Sequence, residues 1–254
     1  MEKVVNCMYR KPEALYRLVC FPWAGGGSMH YAQWGKHFSN AVEVYSIRLA
    51  GRETRAKEPF AQNLFQLLDE LSIALLPKLK EKPFAFFGHS LGGILCFATA
   101  LYIKQKYGLE PVHLFVSGVS APHSKTRRNS QRWSELPDDE FLKWMASIGG
   151  TPIEILANKA LANLFVPVLK ADLRLLECTS YDKQEEFVFS CPITTFDGED
   201  DVPHDLKAWN DLTSGEFYIQ KRPGGHFYLQ EPTNEKFLIS YILKHLETAE
   251  VTYL

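Results

Sequence analysis

The chain has 254 residues, 46% of them hydrophobic, and a formal net charge of -2. That length is enough for one substantial core, and the near-neutral balance excludes the global basic field on which nucleic-acid binding relies. No low-complexity tract, no solenoid-length repeat and no apolar run near the roughly 18 residues of a membrane span interrupts it.

The opening residues Met1 to Asn6 are charged and lack a hydrophobic signal core, so a cytosolic location is expected. Tyr16 to Phe21 reads as the first strand, followed by a glycine-rich turn, Pro22-Trp23-Ala24-Gly25-Gly26-Gly27-Ser28. This turn lacks the Gly-Lys-Ser/Thr ending of a P-loop and the spacing of a dinucleotide fingerprint, so a phosphate cradle is the weaker reading of it. Val42 to Ile47 is the next strand, and Phe84 to Phe87 the third. Gly88-His89-Ser90-Leu91-Gly92 follows at once and leads into a helix that is apolar around most of its circumference through Leu101. Val112 to Val116 is a fourth strand.

Between about Pro122 and Glu186 the strand rhythm stops and two helical stretches appear. The first opens with Pro137 and the acids Asp138, Asp139 and Glu140, turns Phe141, Trp144, Met145 and Ile148 to one face, and halts at Gly149-Gly150. The second carries Leu161, Leu164, Phe165, Val168 and Leu169, with Pro167 as an expected kink. Strands resume at Cys191 to Phe196 and Phe217 to Ile219, and a final helix places Leu238, Tyr241, Ile242 and Leu246 at helical spacing. Alternation of this kind predicts the α/β class: a single domain over 1–254, built on a mostly parallel sheet with helices on both faces, with a helical lid inserted at about 122–186. The lid helices would lie above the strand ends and line an acyl pocket; the plainer reading is that their stripes only pack on the core.

A serine held between a buried strand and a buried helix, with glycines on either side, matches a nucleophile elbow. The plainer alternative is a glycine-rich strand-to-helix turn. A hydroxyl needs a base, and the base needs a carboxylate to orient it. His226 is the candidate base, because it follows Pro223-Gly224-Gly225 at the end of the last strand and precedes the final helix. His89 adjoins Ser90 in sequence, but an elbow turns neighbouring side chains apart, so packing is its expected role. The other histidines, His204 among them, have no comparable context. Thr195-Phe196-Asp197-Gly198-Glu199-Asp200-Asp201 offers the acid; Asp197 belongs to the strand end and Gly198 marks the turn, which favours Asp201 over Asp200. The oxyanion of an acyl-transfer intermediate needs two amide donors, expected from Leu91 and from Ala24, with Trp23 as the neighbouring possibility. Trp23, Phe141, Met145, Phe165 and Phe227 are the candidate substrate-binding side chains.

The five cysteines, Cys7, Cys20, Cys96, Cys178 and Cys191, are odd in number and widely spaced, which suits reduced thiols rather than a disulfide framework. With no Cys-x-x-Cys or His-x-x-x-His, no metal is expected. The basic residues Lys125, Arg127, Arg128 and Arg132 would meet an acidic partner or, more simply, form a solvated loop.

Phe21-Pro22-Trp23-Ala24-Gly25-Gly26, Leu49-Ala50-Gly51-Arg52-Glu53-Thr54-Arg55, Phe87 to Gly93 and Gly224-Gly225-His226-Phe227 together resemble the type II thioesterases, and most of all their animal medium-chain branch associated with fatty acid synthase. The match runs over nearly the whole chain, with Ala50 standing where the family often has proline. The resemblance implies an α/β-hydrolase fold and a triad of Ser90, Asp201 and His226. It also implies cleavage of an acyl chain from the phosphopantetheine thiol of a fatty acid synthase acyl carrier domain, releasing medium-chain free acids. No cofactor is implied, and a free-standing monomer that docks its carrier transiently is expected. Two competing readings share parts of this pattern: an esterase or lipase of small oxygen esters, and a hydrolase-fold binding protein without catalysis.

Overall fold

The computed structural model describes residues 3–128, 132–149, 158–183 and 185–249. Among these, β1 (Val5–Asn6), β2 (Tyr16–Phe21), β3 (Val42–Ile47), β4 (Phe84–His89), β5 (His113–Ser117), β6 (Ile193–Gly198) and β7 (Phe217–Arg222) form one sheet in the order β1-β3-β2-β4-β5-β6-β7. β1 pairs antiparallel with β3, and every other pairing is parallel. The expected strands are present. β1 is an addition, since two residues carry no period to read, and β6 is shifted two residues along, running from Ile193 to Gly198, where Asp197 and Gly198 pair with Lys221 and Arg222.

β2 to β6 are buried along their whole length, as strands covered on both faces must be. Alternation then sorts their side chains. Val19, Phe21, Phe86, Leu114 and Val116 face a core shared with α2 (Leu64–Glu81) and α3 (Leu91–Tyr107), whereas Leu18, Cys20, Phe87, Phe115 and Phe196 face α1 (Met29–Trp34) and the carboxy-terminal helix. Asn63 caps α2 by accepting from the Gln66 amide at 2.9 Å. Gly108 closes α3 in the left-handed conformation, φ +67. These are the layers of an α/β-hydrolase fold, with β4 and α3 meeting at its centre.

α4 (Lys125–Arg128), α5 (Asp138–Ile148) and α6 (Lys159–Cys178) fall between β5 and β6 in the chain, and α7 (Pro232–Ala249) ends the fold. α5 stops at Gly149, φ +81; Gly150, the other half of the expected stop, lies outside the described residues, as do 129–131 and 150–157 of the inserted segment and Met1–Glu2. Phe141 and Met145 of α5 pack with Val166, Leu169 and Leu173 of α6 in a cluster of their own. The buried face of α6 therefore runs through Ala162, Val166, Leu169 and Leu173, not through Leu161 and Leu164, which are exposed. α6 has apolar residues on two faces, and only its partners decide which one is covered. Among the described residues no helix is long and apolar enough to cross a membrane.

Candidate active site

Ser90 is the last residue before α3 and sits at φ 54, ψ -119, a backbone region costly for a side chain with a Cβ. Strain of this size persists only where the surroundings impose it, and here they are glycines. A Cβ on Gly88 would lie 2.1 Å from the Gly92 carbonyl oxygen, and one on Gly92 would lie 2.3 Å from the Phe21 carbonyl oxygen. Main chain touches main chain at both places, which brings the first turn of α3 against the turn that follows β2. The Ser90 amide donates to the Ser117 carbonyl at 2.7 Å and ties the elbow to β5.

The turn after β2 is fixed from both ends. Gly26 N–H donates to the Trp23 carbonyl at 2.9 Å, and Gly25 N–H donates to Asp172 Oδ2 at 2.8 Å. Ser28 N–H donates to Glu53 Oε1 at 2.9 Å. Ala24, half-buried, precedes Gly25 in this turn, and Leu91, fully buried, opens α3.

Asp201 and His226 come from two loops whose main chains also touch. A Cβ on Gly198 would lie 2.4 Å from the carbonyl oxygens of Gly224 and Gly225, and Asp200 N–H donates to the Gly224 carbonyl at 3.0 Å. This contact sets His226 Nδ1 2.7 Å from Asp201 Oδ2, while Asp201 Oδ1 accepts from Val202 N–H at 2.7 Å. Asp201 is buried and Asp200 exposed. The sequence-expected acid and base are thus brought together, and each oxygen of the carboxylate has one defined partner.

His89 is fully buried. Its Nδ1 lies 2.9 Å from Ser117 Oγ, which in turn lies 2.8 Å from the Tyr228 hydroxyl. Burial, reinforced by the neighbouring imidazoles, holds its pKa well below the ordinary histidine value, so the ring packed 4.7 Å from His226 is neutral. His204, which has no marked sequence context, donates from Nδ1 to buried Asp197 Oδ1 at 3.0 Å and stands 3.8 Å from Asp201 Oδ2. No local pattern marks it, because Asp197 and His204 meet only through the turn at Gly198. Donor atoms of Asp201, His204 and His226 lie within 4.8 Å of one another, but two of them are already bonded to each other, and a cation there would displace that bond.

The five candidate substrate-binding side chains fall in two groups. Trp23 and Phe227 meet edge to face at 5.7 Å beside His226, and the Phe165 ring lies over Gly25. Phe141 and Met145 are buried between α5 and α6. A cavity of about 330 Å³ runs along the other side of α6, lined among others by Leu49, Phe60, Leu67, Ala171, Asp172 and Leu175. The basic stretch is not simply solvated: Arg127 donates to the carbonyls of Leu176 and Thr179 at 2.8 and 3.1 Å, at the carboxy-terminal end of α6. Arg132 is exposed and pairs with Glu135 at 3.1 Å.

The Thioesterase domain family model matches residues 16–246. The chain is 46% identical to the medium-chain S-acyl fatty acid synthase thioesterase of Rattus norvegicus, over 99% of this chain and 95% of that protein, and 43% identical to the corresponding Anas platyrhynchos protein, over 99% and 100%. The crystal structure of human thioesterase 2 superposes with a TM-score of 0.74 at 36% identity, covering 93% of this chain and 98% of that one.

Proposed function

We infer that this chain, which belongs to the thioesterase domain family, is an acyl thioester hydrolase working through a Ser90-His226-Asp201 triad on medium-chain acyl groups carried by the acyl carrier domain of fatty acid synthase. The positive-φ backbone at Ser90 is the observation that carries this reading, since presentation of that hydroxyl accounts for strain held by two glycine contacts on main chain.

In the proposed reaction Ser90 Oγ attacks the thioester carbonyl carbon as His226 Nε2 takes its proton, and Asp201 holds the other ring nitrogen protonated. The carbonyl oxygen, now anionic, would receive the amides of Leu91 and of Ala24 or Trp23. Two neighbouring amides of that turn, Gly25 and Gly26, are already engaged, and the close approach of Gly92 to Phe21 sets the two donor segments side by side. Collapse breaks the carbon–sulfur bond and the departing thiolate takes the proton from His226; an ordinary thiol pKa near 8.5 makes this departure easy. Water then repeats the attack on the acyl-serine with His226 as base, and the free acid leaves. Neutral His89 beside the base adds no positive charge to oppose the imidazolium.

The segment 122–186 acts as a lid in this proposal, supported by the seating of Phe165 and Leu169 on Gly25. The cavity beside α6, at about 330 Å³, is at the small end of ligand pockets and suits an alkyl chain, since charged side chains that line it, Arg52 with Asp172 and Arg55 with Glu58, pair with one another. Hydrolysis across a saturated acyl-CoA series, with matched oxygen esters and Ser90→Ala, tests this reading. It predicts thioester preference, a maximum at intermediate length and loss on Ser90→Ala; preference for oxygen esters, or activity that survives Ser90→Ala, overturns it.

A further inference from the structure

We propose that Arg52 and Asp172 form a positioning pair that sets the oxyanion turn and couples it to α6. The proposal rests on the acyl-transfer reading above. Arg52 stands in the loop after β3 and Asp172 in the middle of α6, 120 positions apart, and both are buried. Their contact is bidentate, with Arg52 Nη1 and Nη2 each donating to one carboxylate oxygen at 2.6 Å.

What makes the pair more than a strut is where its remaining hydrogen bonds go. Asp172 Oδ2 also accepts from Gly25 N–H at 2.8 Å, and Arg52 Nη1 also donates to the Gly26 carbonyl at 2.9 Å. Both partners therefore grip the turn that offers Ala24 or Trp23 to the oxyanion, Asp172 at the Ala24–Gly25 peptide and Arg52 at the Gly26–Gly27 peptide, on either side of the Gly25–Gly26 peptide. Glu53, the next residue, holds the far end of the same turn through Ser28 N–H and Oγ, at 2.9 and 2.7 Å. Gly25 is left-handed, φ +75, and a Cβ there would lie 2.9 Å from the Phe165 ring and 3.1 Å from Leu169. α6 thus reaches the turn through packing at Leu169 and through a charge at Asp172, one helical turn on.

An oxyanion donor acts only if its N–H lies about 2.7–3.1 Å from the developing charge, and misplacing it by about 1 Å costs about 10²-fold. Releasing these two bonds frees the Ala24–Gly25 peptide, which adjoins the Ala24 amide, and loosens the Gly26–Gly27 peptide further along the same turn. Removing Arg52 alone would strand a buried carboxylate and unfold the region, so the informative variant is the double replacement Arg52→Met/Asp172→Leu, because apolar substitutes for a buried ion pair are often neutral for stability.

The experiment compares wild type, the double variant and Arg52→Lys, which keeps the charge but loses the planar fork. It measures thermal midpoint, kcat and KM on the best acyl-CoA, and inhibition by an alkyl trifluoromethyl ketone, whose serine adduct places an oxygen anion in the hole. The expected result is a folded double variant with kcat down about 30–300-fold, KM within about threefold, and ketone affinity lowered in step with kcat; Arg52→Lys should fall between it and wild type. A folded double variant with wild-type kcat and ketone affinity overturns the proposal. So does a fall in KM-dependent binding alone. Absence of activity in wild type itself, on thioesters and oxygen esters alike, would instead sink the acyl-transfer reading on which it rests.

Discussion

Asp201→Asn is the sharpest single perturbation of this site, because the structure dictates how the amide must sit. Asp201 Oδ1 accepts from Val202 N–H at 2.7 Å, and an amide nitrogen cannot replace it there, since two donors would face each other. The asparagine oxygen is therefore held on Val202, and the NH₂ group takes the place of Oδ2, 2.7 Å from His226 Nδ1. Nδ1 must then be the acceptor, which moves the ring proton to Nε2 and leaves no lone pair to receive the Ser90 proton. Volume and burial barely change, so the fold should be kept. The equivalent change in the serine-protease triad lowers kcat about 10⁴-fold, which corresponds to about 5.5 kcal/mol of lost transition-state stabilisation, and a loss of that order is expected here. The assay is kcat on a medium-chain acyl-CoA, with the thermal midpoint as control and exposed Asp200→Asn in parallel. Asp201→Asn with more than a tenth of wild-type activity, or Asp200→Asn with the larger loss, would refute the tautomer reasoning.

Gly92→Ala should cost about 1–3 kcal/mol in urea unfolding and slow phosphonate labelling of Ser90 at least tenfold, since its Cβ would meet the Phe21 carbonyl oxygen at 2.3 Å and the two main chains must part. Gly108→Ala, at φ +67 with open space around it, should cost only about 1–2 kcal/mol and leave activity per folded molecule unchanged; equal activity losses in the two variants would refute the assignment of the elbow. His113 is buried against Thr194 and Phe115, and desolvation lowers its pKa to about 3, while burial pushes His89 the same way. Both are neutral in the folded state where the unfolded chain takes up protons, so stability is full above about pH 6.5 and falls as the pH drops towards 3. His113 contributes up to about 1.4 kcal/mol per pH unit within that window, and His89 acts in the same direction. Urea midpoints at pH 7.5 and 5.0 measure the fall, and His113→Gln should flatten it; a midpoint independent of pH would count against buried neutral histidines. Leu175→Phe, filling the cavity beside α6, should move the acyl-length optimum to shorter chains by roughly fourfold per excluded methylene, read from kcat/KM across the series; an unmoved optimum would place the chain elsewhere.

How much of this was legible in the sequence follows from how far apart the interacting residues lie. The glycines that permit the strain at Ser90, Gly88 and Gly92, lie within two positions of it and are openly legible, although Gly92 closes on the Phe21 carbonyl across the fold. The apolar run of β2 is equally local, and that strand stands where it was expected, with β6 shifted two residues along the chain. Asp201 and Asp200 differ by one position, and the distinction between a buried and an exposed carboxylate came from a single glycine whose turn could be read. By contrast, the helical period of α6 fits two apolar faces, and exposed Leu164 shows that period alone does not say which is covered. His204 meets Asp197 across a turn, without a spacing that signals it. Arg52 belongs to the segment Leu49 to Arg55, but its partner is 120 residues on, and only the return of the chain through α6 makes the two a pair. What the sequence withholds is thus the closure of the site: on the proposed reading the nucleophile rests on glycines beside Ser90, whereas the oxyanion turn is held by a charge, Asp172, contributed from α6. If that division is real, elbow substitutions will abolish serine labelling, and substitutions in the Arg52–Asp172 pair will spare labelling of Ser90 more than they spare turnover.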